Sequence, residues 1–592
     1  MENSQVAKVF EDIADLIELE GGNAFRIRSY RNAARTVKDL SERVDEKVKR
    51  DDDLSKLPNI GKSTADKIKE IAETGTCKRL EDLKKQMPEE LIELMHVPEL
   101  GPKKVKAIYD ALGVQTLEDL KEACEKHKVR DLEGMGAKTE ENILKGIKTL
   151  QTATGRFLRK EARDQVRTLE AILQDCKEVN QFQVAGSYRR CKETVGDLDF
   201  LVEAADRPAT TEKILDDASV EDVIGKGREK LSVRLASGMQ VDFRYFDQQA
   251  FGAALIYFTG SKAHNIAIRK IAVDKDWKLN EYGLFENDKL LAGKTEKEVY
   301  KKLGLDWIPP ELREDNGEVE AARNSQLPKL VELKQIRGDL HCHTKATDGK
   351  NTINEMAEAA RAFGYDYLGI CDHSQAVRVA GGLNEDELQK HAEEIRKVDA
   401  EYDDFWLLAG VEVDIMKDGT LDIDEKILKE LDWVTASIHY NFNLSPDAMT
   451  KRLLAAIESG VVNSIGHPFG RQFGRRDPLQ FDVDKVFNAC RENHVCLEIN
   501  AQPERLDLLD VYCGKARDAG AKIVINTDSH TTDDLDFMEF GIGIARRGWL
   551  EKNEILNTKT LKQLKNYLKK RICPNRPPHW TGSCGNRRPH DF

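Results

Sequence analysis

The spacing of apolar and polar residues changes twice along the chain. Residues 1–150 read almost throughout as amphipathic helix broken by short glycine-containing turns, starting with the acidic, helix-patterned MENSQVAKVFEDIADLIELE. Residues 151–307 mix helical stretches with strand-like runs in which side chains alternate between two faces. Residues 308–334 hold Pro309-Pro310, a charged stretch and the turn pair Asn316-Gly317, and read as a linker. Beyond them, seven strand-like runs lie near 337–343, 367–373, 407–414, 433–440, 461–467, 496–500 and 523–530, with helix-patterned stretches between. Repeated strand-then-helix predicts a parallel sheet, and eight such units would close a barrel. The last twenty or so residues, rich in Pro, Arg and Gly, read as a tail.

A chain of 592 residues predicts several domains. With 40% hydrophobic and 33% charged residues and 16 prolines, it is neither disordered nor fibrous. No apolar run reaches the ~20 residues of a bilayer span, and the N-terminus lacks the basic start and apolar core of a signal peptide. Eleven cysteines scattered singly suit reduced thiols, so a cytoplasmic protein away from membranes is expected. The formal charge of −13 excludes a generic polyanion binder, so contacts with nucleic acid must be local. A well-solvated surface is the plainer use of so many charges.

Three segments of the first region repeat one pattern: Leu57-Pro-Asn-Ile-Gly61-Lys, Val97-Pro-Glu-Leu-Gly101-Pro-Lys and Leu132-Glu-Gly-Met-Gly136-Ala-Lys, each followed by helix. A glycine lets backbone approach a ligand, and the following helix aims free N–H groups and its positive dipole end at an anion. One copy could as well be an ordinary helical hairpin; three weigh against that. The pattern resembles the helix-hairpin-helix motif, which grips DNA phosphates without reading sequence. Gly61, Gly101 and Gly136 are then the expected DNA-binding turns.

In the middle region, a strand runs into Gly186-Ser187-Tyr188-Arg189-Arg190, followed by Gly196-Asp197-Leu198-Asp199-Phe200. On a strand, Asp197 and Asp199 share one face and Leu198 and Phe200 the other. Met239-Gln-Val-Asp242-Phe-Arg244 offers a third carboxylate on a neighbouring strand. Crowded carboxylates repel unless a cation sits among them, and a hard divalent ion carrying phosphates is the natural resident. An exposed polar strand face would be the simpler account of one Asp-x-Asp alone. With Tyr257-Phe-Thr-Gly260-Ser-x-x-His264-Asn265, Arg269, Asn280-Glu-Tyr-Gly283 and Ser29-Tyr30-Arg31-Asn-Ala-Ala34, the set resembles the family X DNA polymerases, over residues 1–315.

That resemblance implies roles. Asp197, Asp199 and Asp242 would hold two Mg²⁺ (or Mn²⁺) ions, with Asp242 also organising the primer 3′-hydroxyl. Arg156, Gly186, Ser187, Arg190 and Gly196 would meet the triphosphate of an incoming deoxynucleotide. Tyr257, Phe258 and Gly260 would line the sugar pocket, Asn265 would contact the base and Arg269 the template. Ile266 stands where the vertebrate enzyme has a stacking lysine, which alters that contact. Lys67 would be the Schiff-base lysine of a 5′-deoxyribose phosphate lyase, activated by nearby cations such as Lys62 and Lys69, with Arg26 and Arg79 at phosphate-binding positions. A helix-surface lysine touching DNA phosphate is the alternative for Lys67.

Nearly every C-terminal run ends in a His, Asp or Glu: His341, His343 and Asp348, then His373, Glu412, His439, His467, Asp528 and His530. Ligands at the ends of successive parallel strands converge on one mouth, whereas Cys342, between two histidines, should face elsewhere. Six of the 13 histidines occupy these positions. Imidazole and carboxylate without thiolate suit Mn²⁺ or Zn²⁺ in an open hydrolytic site. Together with Asn500-Ala-Gln-Pro-Glu-Arg505, this resembles the PHP domain of polymerases and histidinol phosphatases, with Thr347 in place of the commoner Ser. Arg471, Arg475 and Arg476 are candidates to grip a DNA strand.

The two resemblances together imply a bacterial or archaeal family X polymerase fused to a PHP domain. The expected fold is multidomain: an all-α helix-hairpin-helix region, an α+β nucleotidyltransferase palm and an α/β PHP domain built as a distorted (β/α)7 barrel. The expected boundaries are 1–85 lyase-like helical domain, 86–150 helix-hairpin-helix subdomain, 151–247 palm, 248–315 nucleotide-binding subdomain, 316–334 linker, 335–572 PHP domain and 573–592 tail. The expected activity is gap filling in base excision repair on gapped or primed DNA, from deoxynucleoside triphosphates, by a monomer. The barrel, with up to three ions, would act as a 3′–5′ exonuclease, with apurinic endonuclease and 3′-phosphatase action as family possibilities. Two rivals stand beside this: a polymerase whose barrel is structural or hydrolyses small phosphates, and a non-catalytic repair scaffold.

Overall fold

The computed structural model describes residues 3–38, 44–50, 52–57, 60–84, 91–95, 97, 100–132, 134–140, 142–144 and 156–572. The expected tail and the positions Pro58, Asn59, Pro98, Glu99 and Glu133 of the glycine segments lie outside these residues. The chain forms two compact units that meet in sequence at 155/156.

The first unit is helical throughout its described residues. Its long helices are Asn3–Leu19, Ala24–Lys38, Lys62–Thr74 and Pro102–Leu112. Apolar residues at helical spacing, among them Val6, Phe10, Ile13 and Ile17, join Ile68, Ile71, Val105 and Ile108 in one core. Gly61 and Gly101 sit at helix N-termini with φ of −85° and −75°, and Gly75 and Gly113 end the same helices in the left-handed region.

The second unit begins with a small ladder, β1 (Phe157–Leu158) against β3 (Thr194–Val195). The main sheet of this part contains β2 (Val179–Val184), β4 (Asp197–Ala204), β5 (Val220–Lys226), β6 (Lys230–Leu235) and β7 (Gln240–Tyr245), in the order β2-β4-β7-β6-β5. β4 and β7 run parallel, with Asp199 beside Asp242 and Phe200 beside Phe243. One pair puts carboxylates on the open face; the other stacks rings 5.4 Å apart in the core. Helices Phe251–Thr259 and Lys262–Val273 and the antiparallel β8 (Trp277–Asn280), β9 (Gly283–Glu286) and β10 (Lys289–Ala292) follow.

The stretch that reads as a linker carries the helix Glu318–Arg323 and is packed. Glu318 is fully buried against His264 (2.6 Å), and the buried Arg313 donates to Glu296 and to the carbonyl of Ile308. Its charges pair inward, so a charged composition does not here mean a solvated strand of chain.

All seven C-terminal runs contain strands: β11 (Gly338–Cys342), β12 (Tyr367–Ile370), β13 (Trp406–Asp414), β14 (Trp433–Ser437), β15 (Ser464–Ile465), β16 (Cys496–Asn500) and β17 (Ile523–Asn526). They are parallel and neighbour one another in sequence order. The end nearly closes on the start: Cys342 bridges to Ser529, and the Leu340 N–H donates to Asn526 Oδ1 at 3.0 Å. Cys342 faces away from the mouth, its thiol donating to the carbonyl of Gly369.

The helix Arg159–Gln174 lays Arg159, Arg163 and Arg167, four residues apart on one face, against the barrel. Arg163 donates to Asp536 and Glu539 (3.0 and 2.6 Å), Arg167 donates to Asp536, and the Arg159 guanidinium lies over the rings of Tyr188 and Phe540. Arg546 reaches Glu311, and Arg547 reaches Glu314 and the carbonyl of Arg190.

Barrel closure depends on close approach of β11 and β12. A Cβ on Gly338 would lie 2.3 Å from both the ring and the carbonyl of Tyr367. Gly338→Ala is expected to destabilise the barrel by about 1–3 kcal/mol, read as a lower urea midpoint for the transition that reports Trp433 at its centre. An unchanged midpoint would mean that the seam has room to spare.

Candidate active sites

The sheet register of β4 and β7 builds the first site. Asp197 is exposed at the start of β4, Asp199 half-buried, and Asp242 buried on β7. Two cations sit among them. Arg244 donates from Nε to Asp199 (3.0 Å) and from Nη2 to Asp242 (2.8 Å), and Lys230 lies 2.6 Å from Asp242. Burial pushes the Asp199 carboxyl up, and Arg244 offsets only part of that. Burial pulls Asp242 the same way, but hydrogen bonds from Lys230 and Ser232 outweigh it and hold the group below its usual range. Sequence reading missed Arg244 and Lys230. Arg244 was findable, because it sits two residues past Asp242 on the same strand and so shares its face.

Gly186, at φ +63°, turns the chain from β2 into a short helical turn, and a Cβ there would face Asp199 Oδ2 at 3.6 Å. Ser187 lies on that turn, and Gly196 links β3 to β4. Arg190 leaves the turn to meet the carbonyl of Thr259 and Glu314 Oε1, and its Nη1 would lie 3.1 Å from a Cβ on Gly260. Phe258 lies beneath the Arg244 guanidinium at 4.4 Å, with Tyr257 edge-on to it. Asn265 donates to the carbonyl of Tyr257, which leaves its Oδ1 buried without a donor. Arg269 shares a cleft with Tyr257 and Asn265. Arg156 grips the hydroxyl and carbonyl of Thr194 at 2.7 and 2.6 Å, and Ile266 is exposed.

In the first unit, Lys67 Nζ donates to the hydroxyl and carbonyl of Ser63 (3.0 and 3.1 Å). Arg26 and Arg79 both act on the Tyr30 hydroxyl, which burial nevertheless raises, and Lys67 acts on the buried Cys77 thiol. Tyr30 and Cys77 act on one another as well, which links the two groups. Gly61, Gly101 and Gly136 have no left-handed requirement, and a Cβ on any of them would meet open space. Among the described residues, no contact within the unit asks for glycine there.

The barrel mouth brings all nine C-terminal residues together. Consecutive imidazoles pass around it: His341 to His343 (5.2 Å between centroids), His343 to His373 (4.5 Å), His373 to His439 (5.1 Å), His439 to His467 (5.3 Å) and His467 back to His341 (6.5 Å), with His530 stacked on His343. Glu412 stands in the middle. Its Oε1 lies 2.9, 3.5 and 3.6 Å from ring nitrogens of His467, His439 and His341, and its Oε2 lies 2.8 Å from His373. Asp528 meets His343 at 2.9 Å, and Asp348 stands 3.4 Å from both His373 and His530.

Three overlapping groups have ligand atoms close enough to hold a cation: His343-Asp348-His373-His530, His341-His343-Asp528 and His373-Glu412-His439. Buried ring nitrogens of His341, His343, His439 and His467 lack hydrogen-bond partners. Unpaired polar atoms in such number are costly in a protein interior, and a metal ion satisfies them. The donor set fits Mn²⁺ or Zn²⁺. The charges of the mouth act on one another. Burial opposes the charged form of His373, but Glu412 and Asp348 outweigh it and raise the ring to about 10. Burial and its cationic neighbours lower His343 to about 4. His467 and Asp528 hold left-handed backbone, φ +30° and +52°, a strain worth about 1–3 kcal/mol each.

The sequence reading assigned no role to the residues that support these ligands. Glu498 accepts from His341 Nδ1 (2.8 Å), from the Asn526 amide and from the His467 N–H, and Asn500 donates to Asp528. Both lie on β16 two residues apart, so strand alternation could have found them. Asp414 stands 3.4 Å from His439 Nδ1. Asp339 and Asp372 lie off the mouth. Asp339 accepts from Thr527, and Asp372 accepts from Thr344, Thr347 and His391. Arg471 is turned inward and taken up by protein groups.

Comparison with known proteins gives a consistent pattern. Family models match in order: a helix-hairpin-helix domain at 1–77, a SAM-like helix-hairpin-helix tandem at 89–149, DNA polymerase beta palm at 156–242, DNA polymerase beta thumb at 254–314 and PHP domain at 339–502. The chain is 41% identical over 575 residues to "DNA polymerase/3'-5' exonuclease PolX" of Bacillus subtilis, covering 96% of this chain and 100% of that one. It is 25% identical over 346 residues to DNA polymerase lambda of Arabidopsis thaliana, 52% of this chain and 62% of that one. A protein named "probable phosphatase" in Thermoanaerobacter pseudethanolicus is 31% identical over 246 residues, 39% of this chain and 94% of its own.

If Glu498 orients His341 toward the mouth, Glu498→Gln should weaken metal binding about 10–100-fold, measured by competition with a chromogenic chelator. Parent-like affinity would leave Glu498 a packing role only.

Proposed function

This chain belongs to the family X DNA polymerases that carry a PHP domain, and we propose that it fills short gaps during base excision repair while its barrel trims DNA 3′ ends. It is a DNA polymerase and 3′–5′ exonuclease of the same make-up as its Bacillus relative. The observation that carries the reading is the coexistence of two complete ligand sets in one unit: three carboxylates across β4 and β7, and nine imidazole and carboxylate residues at the barrel mouth.

Divalent ions, when bound, supply Lewis-acid charge to the triphosphate in one site and to the phosphodiester in the other. Mg²⁺ or Mn²⁺ suits the all-oxygen palm, and up to three Mn²⁺ or Zn²⁺ ions suit the barrel. The protein groups do the rest. Gly186, Ser187, Gly196 and Arg190, with Arg156 behind them, cradle the triphosphate, and Arg190 must then exchange Glu314 for phosphate. Tyr257, Phe258 and Gly260 leave a flat slot for the sugar. The unpaired Oδ1 of Asn265 is an acceptor for the incoming base. Arg269 holds the template, and Asp242, kept ionised by its cations, organises the 3′-hydroxyl proton.

The open space at Gly61, Gly101 and Gly136 admits DNA phosphates to helix N-termini. Lys67, whose amine meets Ser63, is the residue that would attack a 5′-deoxyribose phosphate aldehyde, with Arg26 and Arg79 as the phosphate partners. In the barrel, Asp348, Glu412 and Asp528 with six imidazoles would hold the ions, whose charge would draw in a phosphodiester for attack by water. The water oxygen joins phosphorus, the bond to the upstream O3′ breaks, and that oxygen takes the proton. The phosphatase relatives favour a second barrel substrate, small phosphate monoesters. Among the described residues no helix is long and apolar enough to cross a membrane.

Asp197→Ala should reduce extension of a 5′-labelled primer on gapped DNA by about 10²–10³-fold or more, while shortening of single-stranded DNA persists. His341→Ala with His343→Ala should do the reverse and lower the metal ions bound per chain. Normal extension by the first variant, or full nuclease activity by the second, would remove the assignment of that site.

For the first unit, binding to gapped DNA should weaken steeply with salt, depend little on sequence and tighten with a 5′-phosphate in the gap. Equal affinity with and without that phosphate would count against the Arg26–Lys67 neighbourhood as its seat.

A further inference from the structure

The barrel mouth contains a cation that its nine ligands leave unexplained. After β16 the chain turns at Gln502, whose carbonyl accepts from the N–H groups of Arg505 and Leu506 (2.8 and 2.9 Å). Leu506 holds φ +43° there. The turn carries the Arg505 side chain to the wall of the cavity of about 320 Å³ formed by Asp348, His373, Glu412, His439, His467 and Asp528. Arg505 is 17% exposed, and its Nε stands 4.0 Å from Asp528 Oδ2, beyond hydrogen-bond reach. Its Nη1 is buried and has no acceptor, while Asp507, the other nearby carboxylate, keeps an unpaired Oδ1 of its own. A guanidinium held beside two carboxylates yet bonded to neither has its donors reserved for something that enters the cavity. An anion with two oxygens spaced to the guanidinium fork satisfies those donors, and the phosphate that the barrel hydrolyses offers such a pair.

The turn is held from the other half of the unit. Arg471 donates from Nε to the carbonyl of Arg505 (2.7 Å) and from Nη2 to that of Leu506 (2.6 Å). Its remaining bonds go to both carboxylate oxygens of Glu193. Glu193 lies on the loop between Arg190 and Asp197, and its carbonyl accepts from the N–H of Arg159. Arg471 is 8% exposed, so Glu193 is what neutralises it.

We propose that Arg505 binds a non-bridging oxygen of the phosphate to be hydrolysed, and that the palm loop positions it through Glu193 and Arg471. The proposal deepens the reading of the barrel as a phosphoester hydrolase and rests on it. Arg505 would be a catalytic residue; Arg471 and Glu193 would be positioning residues.

The test uses the full chain loaded with Mn²⁺, a 5′-labelled single-stranded oligodeoxynucleotide, and inorganic phosphate as inhibitor. Arg505→Met should lower kcat/KM for 3′-end hydrolysis about 10²–10³-fold and raise the inhibition constant of phosphate, with gap filling and bound metal per chain unchanged. Arg505→Lys, which keeps the charge without the fork, should fall between and serves as the reading if the Met variant does not fold. Glu193→Gln should raise KM and the phosphate inhibition constant about tenfold with kcat and metal content held. Parent-like hydrolysis by both Arg505 variants would overturn the proposal, as would loss of metal in step with activity, since Arg505 would then only prop the cage. A parent-like Glu193→Gln beside impaired Arg505 variants would overturn the positioning half. If the metal-loaded parent hydrolyses neither the oligonucleotide nor a small phosphate ester, the underlying reading of the barrel fails, an outcome distinct from all of these.

Discussion

Negative charge gathered more tightly than it can stand alone governs both halves of the second unit. In the palm, the register of β4 and β7 forces Asp199 and Asp242 side by side, and Arg244 and Lys230 fill the space between them. In the barrel, Glu412 is buried within reach of four imidazoles. Carboxylates in such settings must ionise against a cation or protonate. Here the backbone fixes the carboxylates first: strand alternation in one case, the ends of parallel strands in the other. What lies around them follows, from Lys230 on one sheet to the Glu498–His341 pair behind the ring of histidines on the other.

The sequence made much of this legible, for particular reasons. The seven C-terminal strands were visible because a strand buried on both faces is a short apolar run, and their ligands because nearly every run ends in a residue that an apolar core does not need. Asp197 and Asp199 were visible through their spacing of two. Other residues act through partners distant in sequence. Glu498 meets His341 across 157 positions, and Arg471 meets Glu193 across 278; no local pattern announces either. The segment 316–334 was misleading for a related reason, since Glu318 is charged in composition but buried against His264 in the fold. Arg471 likewise looked like a strand-gripping surface arginine and is a buried tie.

The ties between palm and barrel bear on how two opposed chemistries share one chain. Arg163 and Arg167 anchor the first palm helix to Asp536 and Glu539. Glu314 receives Arg190, Lys192 and Arg547 together, so an arginine suited to triphosphate binding and one from the barrel share a carboxylate. The loop that runs from Arg190 to Asp197 thus faces a polymerase site on one side and, through Glu193, leans on the nuclease mouth on the other. The two ligand sets remain separate in residues, but their supporting walls are common.

The claim on which the rest stands is that the barrel mouth is a centre for several metal ions. Anomalous diffraction from crystals equilibrated with Mn²⁺ addresses it most directly. The expected result is more than one anomalous peak inside the cage of His341, His343, Asp348, His373, Glu412, His439, His467, Asp528 and His530, with the unpartnered ring nitrogens of the mouth turned to the ions. A mouth without anomalous density at saturating Mn²⁺, in crystals whose palm carboxylates do bind the ion, would contradict it.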